Sequence, residues 1–299
     1  MSPALQRTAL GLTLLTLAIG VLSSQRSRDS VYRYNLLSTE LTLDPTVDKV
    51  YKVNPWISLG IAGAGILTND IGLRRLRDQE RLDQSTLDGL GEDDVPPIDR
   101  WALRQDVDKK KSAEEVSDIG FRVGLLMPAL LFIDKRIRKD ALDVAILFLE
   151  TQSLSSNFYT WGPFGPTFVQ RYRPVAWYDE LSYEERSLGN VRNSFFSGHV
   201  SVTATGAYFA AKVYNDYHPE FSFGKKVLVY GIASIPPVWV GVNRVRGLRH
   251  FPSDCLAGLA AGAFFGTFIP SLHKRWNLRH RSQLKIRGGA DGASLSLRF

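Results

Sequence analysis

The chain has 299 residues, and 37 Lys and Arg against 30 Asp and Glu leave a net charge of +7. With 44% hydrophobic and 22% charged residues it is too apolar and too aromatic for a disordered polypeptide. The single cysteine, Cys255, excludes a disulfide framework and any cysteine-based zinc site, and a mean hydropathy near zero argues against a bundle wholly embedded in lipid. The length fits one large domain or two small ones. Charge is unevenly spread. Acids are in excess between Asp70 and Asp118, and the surplus of base lies elsewhere, notably after His273. No nucleic-acid-binding motif accompanies that surplus, so a basic face beside anionic phospholipid is preferred over a nucleic-acid partner.

Residues 1–25 begin with one arginine, continue as an uncharged run from Thr8 to Gln25, and are followed by Arg26 and Arg28. This is the pattern of a signal peptide, with a retained membrane anchor as the alternative. Asn35 to Val53 is polar and β-leaning. Val53 to Asn69 is uncharged and rich in Gly and Ala, a helix with small residues at its contacts. Between Asp70 and Asp118 the turn chemistry around Pro96 and Pro97 separates short surface helices, Glu80–Leu87 and Trp101–Lys110.

Beyond Asp118 the pattern is helical. Val123 to Ile133, Ala141 to Leu154, Ser197 to Tyr214, Val227 to Val242 with Pro236 and Pro237 inside it, and Cys255 to Leu272 stopped by Pro270 are the predicted helices. With the earlier apolar segment they make an all-α bundle of about six core helices. Two or three are long enough to span a bilayer, and both a soluble bundle and one half-set in a membrane fit. The segment ASLSLRF at the end alternates like a lone strand. The resulting division is 1–25 signal or anchor, 26–118 charged N-terminal segment, 119–273 helical core and 274–299 basic tail.

Three separated pieces carry chemistry when taken together: Arg171-Tyr172-Arg173-Pro174; Ser197-Gly198-His199 at the start of a helix; and Arg244, five residues, His250, three residues, Asp254. Arginines hold a phosphate in a fixed fork. Ser197 and Gly198 sit where helix N–H groups and the helix dipole favour an anion, and Gly198 permits close backbone approach. Spaced four apart, His250 and Asp254 share a helix face, so the carboxylate can hold one ring nitrogen and leave the other free. His199 is a second imidazole, suited to protonating a leaving oxygen. Cys255 reads as a buried small hydrophobe.

These pieces resemble the type 2 phosphatidic acid phosphatase (PAP2) superfamily, which includes bacterial acid phosphatases, lipid phosphate phosphatases and vanadium haloperoxidases. The resemblance covers roughly Ala141 to Leu272, with Phe196-Ser197-Gly198-His199 and Asn243-Arg244…His250…Asp254 at the family's spacing. It implies a helical phosphatase core, His250 as nucleophile forming a phosphohistidine, Asp254 orienting it and His199 as acid. It also implies a phosphate held by Arg173, Arg244, Ser197 and the Gly198 backbone, with no metal or cofactor. The family's lysine, seven residues before the Arg-Pro arginine, falls on Pro166 here. No Lys or Arg lies between Leu154 and Gln170, so Arg171 is the candidate substitute, and Arg246 and Arg249 would add positive potential at the mouth. The resemblance further implies a phosphorylated lipid or small phosphoester as substrate, a membrane surface as partner and an exported location, in the periplasm or on the outer side of the inner membrane. A catalytically degenerate envelope protein and a vanadium-dependent haloperoxidase are the competing readings.

Overall fold

The computed structural model describes residues 33–36, 39–42, 49–281, 285–289 and 292–296. The predicted signal or anchor at 1–25 lies outside the described residues. Six long helices make the body: α1 (Pro55–Arg77), α2 (Lys110–Leu126), α3 (Ala141–Trp161), α4 (Gly198–Tyr217), α5 (Phe223–Arg246) and α6 (Pro252–Arg281). Two antiparallel hairpins lie in the terminal segments, β1 (Arg33–Leu36) with β2 (Thr39–Thr42) and β3 (Lys285–Gly289) with β4 (Gly292–Ser296). The expected lone strand near the end is thus half of a hairpin.

Local chemistry sets the helix starts. Asn54 Oδ1 accepts the N–H groups of Trp56 and Ile57 at 3.1 and 3.4 Å, with Pro55 in the first turn. Ser222 Oγ accepts the Lys225 N–H at 3.4 Å at the start of α5. Several boundaries differ from expectation: α1 runs on from Asn69 to Arg77 and α3 from Leu154 to Trp161, and two more have a clear physical cause. The helix expected from Val123 begins at Lys110, so α2 runs through position 118, the expected limit of the core. Its first half is charged because it borders the polar site described below. The last helix does not stop at Pro270 but continues to Arg281. Packing against neighbours overrides the local cost of proline in an apolar bundle. α5 likewise continues through Pro236 and Pro237.

Small residues dictate how the helices meet. Along α6, a Cβ at Gly258, Gly262 or Gly266 would lie 2.5, 2.3 and 2.7 Å from the carbonyl oxygens of Ser197, Ser201 and Thr205. The constant offset makes α4 and α6 parallel, with backbones in close approach, the contact that a small-x-x-x-small stripe permits. A Gly262→Val change therefore pushes two backbones apart. We expect it to cost about 1–3 kcal/mol, read as a fall in melting temperature of the detergent-solubilised protein. Similar contacts, Gly65 on Ser153 and Gly72 on Thr160, set α1 beside α3 in parallel. As a result the N-termini of α2, α4 and α6 and the C-termini of α1, α3 and α5 share one end of the bundle.

Two layers of core follow. Leu147, Phe148, Phe209, Val213 and Ile269 pack the helices toward the far end. Leu82, Leu87, Val175, Val191 and Leu248 tie a cap, built from residues 78–109 and 162–197, over the end where those N-termini gather. The outside is apolar: Trp56, Leu67, Leu130, Phe223, Ile235 and Trp276 are all exposed. Three segments, Pro55–Arg77, Val107–Ile133 and Pro252–Asn277, are long and apolar enough to cross a membrane. Exposed apolar side chains on such helices are those of a membrane protein.

Candidate active site

The capped end holds the three sequence pieces together. Arg173 donates its backbone N–H to Val191 O at 2.8 Å, and two residues on Val175 N–H donates to Leu248 O at 3.2 Å. That second bond ties the Arg-Pro segment to the turn between α5 and α6. Leu248, fully buried, has φ 56°. A leucine held in the left-handed region is strained and persists only where its surroundings fix it. The turn it makes sends Arg249 and His250 back toward α4. Ser197 N–H donates to Asp254 O at 3.0 Å and so joins the starts of α4 and α6.

His250 is buried, and its Nδ1–H donates to the Ser194 carbonyl at 2.7 Å, which leaves Nε2 with its lone pair free. Burial, and then the charges of Arg173 and Arg244, hold this imidazole well below the usual histidine range, so it is neutral. The carboxylate of Asp254 lies 4.0 Å from Nδ1. The expectation that Asp254 holds the ring directly is corrected. His250 precedes the helix that starts at Pro252, so spacing by four does not set the two on one helix face. Asp254 instead accepts Ser194 Oγ–H at 2.6 Å and Phe251 N–H at 2.8 Å. It supports, one step removed, the loop whose carbonyl orients the ring.

Arg171 is also corrected as a phosphate ligand. Its guanidinium spans Asp254 Oδ1 at 2.5 Å and Asp99 Oδ2 at 2.7 Å, and it donates to Ser253 Oγ at 2.8 Å above the Phe251 ring. Asp99 and Asp254 are both fully buried carboxylates, and a planar fork is the group that can satisfy two of them at once. Arg173 and Arg244 are different. Arg173 reaches only the Asn193 carbonyl, at 3.4 Å. Burial and then the neighbouring arginines Arg249 and Arg244 push it down to about 9. Arg244 donates to Ser117 Oγ at 3.3 Å and lies 3.7 Å from Asp118 Oδ1. The buried side-chain atoms without a hydrogen-bond partner include Arg244 Nε and Ser197 Oγ. Two buried arginines, a hydroxyl with no partner among the described residues and two helix N-termini together make surroundings that suit an anion.

Gly198 opens α4, and a Cβ there would meet the Tyr159 ring at 3.0 Å. The close approach read from this glycine is therefore packing on Tyr159. His199, in the next position, pairs through Nε2 with Asp118 Oδ1 at 3.0 Å and lies against Phe121. Asp118 was not singled out as a site residue, and neither were Glu114, Ser117 and Ser194. Glu114, Ser117 and Asp118 are spaced three and four apart on α2: Glu114 meets Arg249, Ser117 meets Arg244, and Asp118 meets His199 and, at 3.7 Å, Arg244. In the sequence that face looks like an ordinary solvated one. Its partners lie 81 to 135 positions away. Cys255 is buried, as expected.

Residues 151–278 match the model of the PAP2 superfamily. Among curated proteins it is 34% identical over 113 residues to a lipid A 1-phosphatase of Rhizobium johnstonii, covering 37% of this chain and 41% of that protein. It is 33% identical over 113 residues to a lipid A 1-phosphatase of Rhizobium etli, covering 37% and 43%. The matches thus span less than half the length of either relative. Among solved structures, a transmembrane PAP2-type phosphatidylglycerolphosphate phosphatase from Bacillus subtilis aligns over 73% of this chain and 96% of that one, at 19% identity and a TM-score of 0.37.

Proposed function

We propose that the protein is a membrane phosphatase that removes phosphate from a lipid-linked phosphomonoester or diphosphate through a phosphohistidine on His250. One observation carries the reading: a neutral, buried imidazole with its Nε2 lone pair free stands among Arg173, Arg244 and Ser197, where two helix N-termini meet. The curated relatives, both lipid A 1-phosphatases, favour a lipid-linked substrate.

In the first step Nε2 attacks phosphorus, and the bond from phosphorus to the leaving oxygen breaks. His199, whose imidazole burial and Arg244 push down to about 4, takes up a proton beside Asp118 and the negative charge of the bound phosphate and gives it to that oxygen. Arg173, Arg244, Ser197 Oγ–H and the Gly198 N–H hold the equatorial oxygens, whose charge grows in the transition state. In the second step water attacks phosphorus, His199 takes its proton, the N–P bond breaks and inorganic phosphate leaves. Asp254 and Arg171 hold the frame around His250 in both steps. Among the described residues no group of three or more His, Cys, Asp and Glu converges as a metal site.

With the export expected from residues 1–25, this reading has the site on the outer side of the membrane.

The test is phosphate release in excess chelator by protein in detergent micelles. The substrates are a lipid phosphomonoester, an isoprenyl diphosphate and a soluble chromogenic ester. Release from a lipid substrate is expected without added metal. Orthovanadate binding with no turnover of any substrate would favour the degenerate reading, to which Pro166 lends its weight.

A further inference from the structure

Arg249 stands next to His250 but has its own environment. Its N–H donates to the Arg244 carbonyl at 3.0 Å, which closes the strained turn through Leu248. Its guanidinium is gripped at both ends by Glu114, with Nε to Oε1 at 2.9 Å and Nη2 to Oε2 at 2.8 Å. Glu114 reaches it because position 247 is a glycine: a Cβ there would come within 2.9 Å of Glu114 Cγ. Both partners of the pair are part-exposed, whereas Arg173 and Arg244 are buried. Glu114 in turn meets Lys110, which also pairs with Glu185 of the cap at 2.9 Å. Arg249 is the charged group that acts most strongly on both Arg173 and Arg244. Arg246, three residues earlier, is exposed.

We propose that Arg249, held by Glu114, is the third cation of the phosphate site, standing at its mouth and supplying the positive charge that position 166 lacks. The inference rests on the phosphatase reading and adds a residue to it. The two buried arginines match a dianionic phosphate in formal charge, but Asp118, 3.7 Å from Arg244, offsets one of them, and a cation at the entrance restores the balance and draws the anion in from water. Glu114 aims the fork and keeps the three arginines from repelling one another in the empty site. When an anion arrives it can take over that compensation, and Arg249 can share its donors between the phosphate and Glu114. Because it acts on binding, its loss shows in KM and in anion affinity more than in kcat.

The experiment is equilibrium binding of orthovanadate and of inorganic phosphate to full-length protein in micelles at low and moderate salt. It uses wild type and the Arg249→Ala, Arg249→Lys, Glu114→Gln and Arg246→Ala variants. Arg249→Ala should weaken vanadate about tenfold or more, Arg249→Lys should recover part of the loss, and Arg246→Ala should bind as wild type. Glu114→Gln frees the fork from its counter-charge, so it should bind vanadate several-fold more tightly at low salt, an effect absent in the Arg249→Ala background. If Arg249→Ala fails to fold, Arg249→Lys serves as the background instead, and a Glu114→Gln protein that gains no vanadate affinity overturns the assignment by itself. Wild-type vanadate affinity in a folded Arg249→Ala protein, or the same gain from Glu114→Gln with and without Arg249, overturns the assignment. A wild-type protein that binds neither anion overturns the phosphatase reading itself, and this one with it.

Discussion

A His250→Gln protein should release phosphate at least about 10⁴-fold more slowly than wild type, because removing a covalent nucleophile leaves only binding and electrostatic stabilisation. Glutamine is chosen for its shape. Its amide N–H can still donate to the Ser194 carbonyl, which His250 Nδ1 contacts at 2.7 Å, and the buried volume is nearly kept, so the melting temperature should change little. The loss is then chemical rather than structural. The accompanying measurement is a brief reaction with radiolabelled substrate quenched in alkali, where a phosphoramidate survives. Wild type should carry label and His250→Gln none. Activity within tenfold of wild type in the folded variant would remove His250 from the mechanism.

Arg171→Ala should have its largest effect on stability. The change strips the shared cation from Asp99 and Asp254, which are 1% and 0% exposed. Leaving a buried charge without its partner costs about 3–5 kcal/mol, enough to unfold a marginal protein. The measurement is chemical or thermal unfolding in detergent, with Asp99→Asn/Arg171→Ala as the second arm. Removing one carboxylate together with the arginine should restore part of the loss. Had Arg171 been a phosphate ligand, the outcome would differ: near-normal unfolding with weakened vanadate binding. Asp254 connects the two predictions, because it accepts both the Arg171 fork and the Ser194 hydroxyl. Loosening Arg171 loosens the loop that aims His250.

The helices themselves were largely legible. The apolar runs Val53–Asn69 and Val227–Val242 fall largely within α1 and α5, and the small residues of the first do sit at helix contacts, Gly65 on Ser153. The misread boundaries of α2 and α6 share one cause. Lys110 to Asp118 is charged, and a charged run reads as solvated surface. In the fold its Glu114, Ser117 and Asp118 turn toward arginines and a histidine from other helices. Pro270 reads as a stop, yet α6 passes through it, because helices packed in an apolar bundle have no better alternative to continuing. Both errors come from weighing local preference where tertiary contact decides.

By itself the sequence determined part of which groups meet. Ser197–His199 and Arg244…Asp254 stand at the starts of two helices, so that packing those starts together brings an arginine and two histidines near each other. It also determined that the bundle is helical, through apolar periodicity. Only the tertiary structure decided which charge answers which. Arg171 and Arg173 are two residues apart and chemically identical, yet one is spent on Asp99 and Asp254 while the other faces the site nearly unpaired. Arg246 and Arg249 divide in the same way, one to solvent and one to Glu114. The strength of an ionic contact depends on distance, burial and the desolvation of both partners, and those quantities exist only once residues more than a hundred positions apart have been brought together.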